Sequence, residues 1–473
     1  MKPTSSAFKE SATRALADEQ LQQALSNVRR GFVEKRSKAR AGLPEFDSLR
    51  DQARDIKEHT LGLLDVYLEE FERKVEDSGG QVHWAQTASE ACETVLDICR
   101  RRSARTVTKG KSMIGEEIAI NDHLEAAGLK VVETDLGEYL IQLRGEAPSH
   151  IIGPAIHLNR GQIEQDFRRA HTQLPSDRPL DDAGHLVAEA RAILREQFLA
   201  ADVGITGANM LIAETGTSVI VTNEGNGDLT QTLPKTHIVI ASIEKIVPTL
   251  EDANTILRVL ARSATGQEMS AYTTYSTGPR RDDDPDGPEE FHVVLIDNGR
   301  TEMLGSEFKD MLRCIRCGAC LNHCPVYNVV GGHAYGWVYS GPMGAVLTPS
   351  LIGVGGAGHL PNASSFCGRC EEVCPMRIPL PGMMRSWRER EVARGQISTV
   401  QRLAIKTWAY MAKRPTLYRA AAGAAIGVLG ALGAKRGRFR WLPLAGAWTG
   451  YRDLPAPQGQ TFIQLWRARQ DQQ

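Results

Sequence analysis

Long apolar runs, aromatic residues and an excess of either charge are what this sequence has little of. No stretch gives 18 consecutive strongly apolar residues, which argues against a membrane-spanning helix. The first thirty residues carry charges throughout and lack the apolar segment that a secretory signal needs. Aromatics make up only 6% of the chain, yet an apolar share of 42% suits a packed core and excludes disorder as the main state. With 56 basic against 57 acidic side chains, whole-chain electrostatics gives no pull toward nucleic acid. The 473 residues leave room for about three domains. What is present in quantity is cysteine in one place. Of nine cysteines, two lie near position 95 and seven fall between Cys314 and Cys374. An extracellular disulfide framework would be a short chain with an export signal, so the cluster reads as a metal site in a reducing, cytoplasmic setting.

Four segments follow. Residues 1–77 read as a charged helical arm, with Leu49, Ile56, Leu63, Leu64, Leu68 and Phe71 near helical spacing; packing on a neighbour is its expected role. Residues 78–300 alternate strand-like and helix-like runs. Strands are predicted over 81–85, 105–107, 130–133, 150–153, 203–209, 210–213, 217–222, 237–241 and 291–297. Helices are predicted from a capping box at Thr87–Glu90 through Cys99, and over 114–127, 184–199 and 249–262. Such alternation predicts an α/β sheet with helices on its faces. The hairpin-like run Ala213–Glu214–Thr215–Gly216–Thr217 makes that sheet mixed. Residues 301–387 hold the cysteines. Residues 388–473 form a basic extension.

Cys314-x2-Cys317-x2-Cys320-x3-Cys324-Pro325 is the run that holds four-iron clusters in bacterial-type ferredoxins. Three thiolates at i, i+3 and i+6 in a tight loop reach three corners of one cube, while the fourth cysteine serves another cluster. Cys367-x2-Cys370-x3-Cys374-Pro375 repeats the last part of it. Crossed ligation then gives Cys314, Cys317, Cys320 and Cys374 to one cluster and Cys324, Cys367 and Cys370 to the second. Structural zinc uses paired C-x2-C units, and this triple spacing is not that pattern. A full second motif needs a cysteine at position 364, where Ser364 stands. The second cluster is therefore a [3Fe-4S] form, or a [4Fe-4S] form completed by Ser364, water or a partner group. Cys92 and Cys99 share one face of a helix and read as small buried hydrophobes.

Weaker patterns fail on context. Gly353-x-Gly355-x2-Gly358 leaves no room for a dinucleotide-binding helix and strand before Cys367, and reads as a loop. Gly110–Lys111–Ser112 resembles the end of a phosphate loop, but Arg105 replaces its first glycine. The polar residues left at predicted strand ends are Lys109, Lys111, Glu133, Asp135, His150, His157, Asn209 and Glu214. Ordinary turn and cap roles compete there with ligand binding. A small anionic substrate would need a cation such as Lys109 or Lys111, and Glu214 is the one candidate nucleophile, for a coenzyme A transferase type of chemistry.

Between Val392 and Arg452 there is no Asp or Glu but eleven Lys and Arg. Lys435, Arg436, Arg438 and Arg440 follow an Ala/Gly-rich stretch at 420–434 that is too short to span a bilayer, and Trp441 and Trp448 lie close by. This predicts contact with an anionic membrane surface through 392–452; a contact with the cluster domain or a partner subunit is the other reading.

The phrases Val107–Thr108–Lys109–Gly110–Lys111–Ser112–Met113, Gly204–Ile205–Thr206–Gly207–Ala208–Asn209 and Ala213–Glu214–Thr215–Gly216–Thr217, with Gly336–Trp337–Val338–Tyr339 and Gly341–Pro342–Met343–Gly344–Ala345, occur beside both cysteine motifs. This combination resembles the lactate utilisation protein B family, the iron–sulfur subunit of a bacterial three-protein L-lactate oxidation system. The resemblance implies an α/β domain related in fold to coenzyme A transferases and sugar-phosphate isomerases, followed by an α-helical two-cluster ferredoxin-type domain. It also implies two [4Fe-4S] clusters on the seven cysteines. Lactate oxidation releases two electrons, each cluster passes one, and no nicotinamide or flavin motif is present. The expected role is an electron relay. Two further subunits supply the two-electron step or the terminal acceptor, for which the quinone pool is a candidate. The setting is cytoplasmic, peripheral to the inner face of the membrane where the basic extension attaches.

Overall fold

The computed structural model describes residues 3–110, 112–443, 445–450 and 452–471. Two compact units emerge, Met1–Glu391 and Val392–Gln473.

In the first unit, β1 (Gln81–Ala85), β2 (Thr106–Gly110), β3 (Lys130–Glu133) and β4 (Val203–Thr206) precede β5 (Met210–Ile212) and β6 (Thr217–Thr222). β7 (Thr236–Ser242), β8 (Ile246–Val247), β9 (Tyr272–Ser276) and β10 (Glu290–Ile296) follow. The main sheet is six-stranded, in the order β1-β10-β7-β4-β2-β3, and every pair in it is parallel. Both faces are covered, so β7 is buried at all seven positions. Ile205, Ile238, Ile240 and Val294 point to Val95, Ile98 and Cys99 of helix Ala88–Arg101. Val239, Ala241, Val293 and Leu295 point the other way, to Leu64, Leu68 and Phe71 of helix Leu64–Asp77.

The expected antiparallel hairpin forms through Gly216 at φ +67°, pairing Ile212 with Thr217, but it belongs to a separate four-stranded sheet, β8-β5-β6-β9. The main sheet is thus purely parallel and the smaller one is mixed, with β8 parallel to β5 beside the antiparallel pairs β5-β6 and β6-β9. The expected strand over 150–153 is absent: His150 Nδ1 accepts the amides of Ile152 (3.1 Å) and Gly153 (3.2 Å), so a side chain takes the bonds a ladder would need. The helix expected over 114–127 is broken at Ala119, which takes φ 56° between Met113–Ile118 and Ile120–Ala126. Helices Leu136–Arg144, Arg160–Ala170 and Asn226–Thr232, and strand β9, were not anticipated.

β2 connects to β3 on one side of the sheet, whereas β4 leads to β7 on the other, so the connections reverse direction between β2 and β4. Their carboxyl ends form the crevice where open α/β sheets place ligands.

The cysteine-bearing segment is a set of short helices, among them Ala319–Asn322, Tyr327–Val330 and Arg369–Glu372, around the long Gly341–Ala357. The Gly353–Gly358 run, expected as a loop, lies mostly in that last helix, which kinks at Gly353 (φ 82°). The N-terminal arm packs onto the same unit: Arg36 Nη2 donates to the carbonyl of Val373 at 2.7 Å, and the amide of Thr4 to that of Gly336 at 2.7 Å.

The second unit contains helices Thr399–Ala412, Pro415–Gly433 and Phe462–Gln470 and a two-stranded pair, Arg438–Phe439 with Leu454–Pro455. Pro415–Gly433 extends further than the Ala/Gly-rich stretch suggested. Its 19 residues, at mean hydropathy 1.3, are long and apolar enough to cross a membrane by length and composition, and 6% of the span is buried.

Candidate metal centres

The seven cysteines separate into two groups in space. Cys314, Cys317, Cys320 and Cys374 line one small apolar cavity with Ile315 and Met343. Cys324, Cys367 and Cys370 line another with Ser364, Phe366 and Pro342. Each cavity therefore takes a cysteine from the other sequence motif. The first group is the more enclosed, with Cys317 and Cys374 buried; the second reaches the surface at Cys367.

The two loops share a backbone pattern. Arg316 (φ 58°) and Gly318 (φ 70°) flank Cys317 in left-handed conformations, and Phe366 (φ 55°) and Gly368 (φ 79°) flank Cys367 likewise. In this correspondence Ser364 stands where the first loop has Cys314. Its Oγ accepts the amide of Phe366 at 3.2 Å, and its carbonyl accepts from Arg388 Nη2 at 3.1 Å.

Burial pushes the thiols of Cys317 and Cys370 up to about 12 and that of Cys374 to about 11, and neighbouring cysteines add to it. Such thiols stay protonated at neutral pH unless a metal takes the proton's place. Amides of Tyr327 and Ile378 point at Cys324 Sγ and Cys374 Sγ, each at 3.5 Å. Clustered sets of four and three thiols, each with two buried members and an N–H donor, fit iron–sulfur clusters.

Buried charge surrounds the first group. Arg300 clamps Glu117 through both nitrogens (2.8 and 2.7 Å) and reaches Glu244 Oε2 at 3.0 Å. Arg316 Nη2 meets Glu244 Oε1 at 3.3 Å, and Tyr339 donates to Glu117 at 2.6 Å. Burial opposes the charge of Glu244, but Arg300 and Arg316 overcome it and hold the carboxyl at about 2. This network joins the α/β part to the cysteine part.

Beside it, at the carboxyl ends of β2, β4 and β7, lies a cavity of about 340 Å³ lined by Ser112, Asn209, Ser242, Lys245, Arg316 and Tyr339, among others. Ile151 lines both this cavity and that of Cys314.

Of the strand-end candidates, Asp135 and Asn209 line this cavity. Asp135 also caps helix Leu136–Arg144 through the amides of Gly137 and Glu138, and Asn209 accepts the amide of Val221 at 2.9 Å. Lys109 is wholly buried, sits 2.8 Å from both Glu116 and Glu133, and is not among the residues that line the cavity. Burial alone would discharge it, but the two carboxylates hold its ammonium well above the ordinary value. Lys111 lies outside the described residues. Glu214 accepts the amide of Leu250 at 2.7 Å and caps helix Leu250–Ala264, so the transferase-type nucleophile is not favoured. His150 bonds Asn322 Oδ1 at 3.0 Å and supports the first cysteine loop; burial pushes it down to about 4. His157 pairs with Glu146 at 2.8 Å. Cys92 and Cys99 are buried in the α/β core.

Sequence reasoning missed Arg316 and Lys245 on the cavity wall and Arg36 and Arg50 behind the cysteine loops. Nothing in spacing or periodicity marks them.

Family models match three stretches: the LUD domain at residues 68–296, a 4Fe-4S dicluster domain at 310–378, and the C-terminal region of lactate utilisation protein B at 385–471. The dicluster stretch contains all seven clustered cysteines, so the centres are iron–sulfur. The chain is similar to the lactate utilization protein B of Bacillus velezensis, with 41% identity over 491 residues covering 100% of this chain and 99% of that protein. It is similar to that of Shouchella clausii at 42% over 470 residues, covering 98% and 97%. It is also similar to the uncharacterized electron transport protein YkgF of Escherichia coli strain K12, at 41% over 475 residues, covering 100% and 99%.

Proposed function

The chain belongs to the lactate utilisation protein B family and transfers electrons through iron–sulfur centres in lactate utilisation, and on that premise we propose that it relays, one at a time, the two electrons that L-lactate loses on becoming pyruvate. The observation that carries this is the partition of seven cysteines into an interior group and a surface group. The interior group, Cys314, Cys317, Cys320 and Cys374, would hold the cluster that receives electrons from the α/β side. The surface group, Cys324, Cys367 and Cys370, would hold the cluster that delivers them to a partner. Bound clusters supply reversible one-electron chemistry, so two of them match a two-electron oxidation.

Ser364 is the fourth ligand in the second site on this reading, because the repeated backbone puts it where the first loop has Cys314. Both clusters are then [4Fe-4S]. Buried Arg36, Arg50 and Arg316 offset the negative charge of the thiolates around the interior group. Division of the chain into 1–77, 78–300, 301–387 and 388–473 gives the arm, the α/β domain, the cluster domain and the extension.

Two further subunits complete the system on this proposal, one supplying the hydride acceptor that this chain lacks. The basic unit 392–452 holds the complex at an anionic membrane surface, within reach of a quinone acceptor. Its exposed Trp408, Trp441 and Trp448 accompany the eleven cations.

The test is anaerobic mixing of the purified protein with L-lactate, with and without its partners, followed by electron paramagnetic resonance. Reduction of both clusters is expected only with partners present. Reduction by L-lactate alone would make this chain the catalyst, and none in the complete mixture would end the relay assignment.

A further inference from the structure

We infer that the cavity at the carboxyl end of the main sheet is a binding site for a small 2-hydroxy or 2-oxo monocarboxylate, held by its carboxylate between Lys245 and Arg316. This assignment rests on the electron-relay role proposed above and gives that role a substrate site.

Position comes first. The cavity is lined by residues just beyond β2 (Ser112) and β4 (Asn209) and at the last position of β7 (Ser242), where the connections reverse. Its volume of about 340 Å³ is at the lower end of the range for small-molecule sites. Ile114, Ile151 and Leu260 supply apolar wall.

Charge comes second. Lys245 makes no hydrogen bond or ion pair among the described residues, and its main-chain neighbour Glu244 is engaged by Arg300 and Arg316. Arg316 spends one nitrogen on Glu244 and lies over the Tyr339 ring at 5.1 Å, while its buried Nη1 has no partner. Two cations thus line the cavity, and of the two only Arg316 is engaged by a carboxylate among the described residues, that of Glu244. Asp135, Glu138 and Glu224 also line the cavity; Asp135 is committed in part to its helix cap. A guanidinium and an ammonium on one cavity wall suit a carboxylate.

The hydroxyl or keto oxygen at carbon 2 has its own candidates. Asn209 and Ser242 bring polar groups to the wall, and the buried Thr222 Oγ1 there lacks a hydrogen-bond partner. Arg316 also lies between Cys314 and Cys317 in sequence, and Ile151 is shared with the interior cysteine cavity. A ligand on Arg316 therefore sits one side chain from the interior cluster.

The test uses full-length, anaerobically reconstituted protein titrated calorimetrically with L-lactate, pyruvate and propionate, in the wild type, Lys245→Gln and Lys245→Arg. Saturable binding of L-lactate or pyruvate is expected, weaker for propionate, which lacks the second oxygen. Lys245→Gln should weaken it by roughly tenfold or more, and Lys245→Arg should restore it, with iron content unchanged. Absence of saturable binding in the wild type, or equal binding by all three proteins, would overturn the site. Equal affinity for propionate and L-lactate would overturn the ligand class. A second readout needs no variant: saturating pyruvate should alter the electron paramagnetic resonance line shape of the interior cluster, and an unaltered signal overturns its placement there. Failure of the relay role shows separately, as clusters in the wild type that dithionite cannot reduce.

Discussion

Arg50 donates to the carbonyl oxygen of Cys374 from both Nε (3.2 Å) and Nη2 (2.7 Å), although 324 positions separate the two residues. The same Nη2 reaches the carbonyl of Glu372 at 2.7 Å, and Arg36 takes that of Val373. Three consecutive carbonyls of the second cysteine motif are thus fixed by two buried arginines of the N-terminal arm. Leaving such a group unpaired costs about 1–3 kcal/mol. Arg50→Leu should therefore release iron from the Cys374 cluster faster under chelator challenge, with the surface cluster less affected. Time-resolved electron paramagnetic resonance separates the two, and equal loss of both would make Arg50 a general stabiliser only.

The crossed ligation proposed above predicts an unusual mutational pattern. Cys374→Ser should damage the cluster of Cys314, Cys317 and Cys320, while Cys324→Ser should damage that of Cys367 and Cys370. Spectra of the two variants should each lose a different signal. Damage confined to each cysteine's own sequence motif would contradict the spatial grouping.

Ser364 offers a finer check. Ser364→Ala should convert the second cluster to a three-iron form, and Ser364→Cys should retain four irons more firmly. Iron content and the spectrum of the oxidised protein read this directly. No change in either variant would hand the fourth position to water or a partner group.

Much of the main sheet is legible in the sequence because both its faces are buried, which leaves near-continuous apolar runs such as the one in β7. The cysteine motifs are legible because the spacing within each is a local property. What escapes is whatever depends on distant segments meeting. Lys109 looks like a free cation at a strand end until parallel pairing of β2 with β3 sets it opposite Glu133. Asp135 looks like a ligand until helix Leu136–Arg144 forms behind it. Arg36 and Arg50 belong to a charged face that looks solvated until it docks.

Acid should weaken the α/β core through His237. The ring is buried, bonds Thr206 Oγ1 at 2.8 Å, and is pushed down to about 3 by burial and then by His292. Its folded form therefore excludes a proton that the unfolded chain takes up near 6.5. The associated stability is complete above about 6.5 and is lost as pH falls toward 3, by up to about 1.4 kcal/mol per pH unit. Denaturant midpoints from pH 7 to pH 5 should fall less steeply in His237→Gln than in the wild type. Parallel slopes would show that another group carries the acid sensitivity.

Membrane contact is tested on the second unit. Helix Pro415–Gly433 has one buried residue, its neighbour Thr399–Ala412 exposes Val400, Leu403, Ile405 and Trp408, and no carboxylate lies between Val392 and Arg452. Basic side chains near an anionic leaflet contribute about 1 kcal/mol each, and that contribution falls with screening. Exposed tryptophans favour the headgroup level, which adds an apolar component that salt does not remove. The full chain should therefore sediment with anionic vesicles at low salt, less so at high salt, and weakly with neutral vesicles. A chain ending near Arg394 should stay in the supernatant throughout. If both chains pellet equally, or neither does, the exposed apolar faces belong to a partner subunit and the extension is an assembly surface.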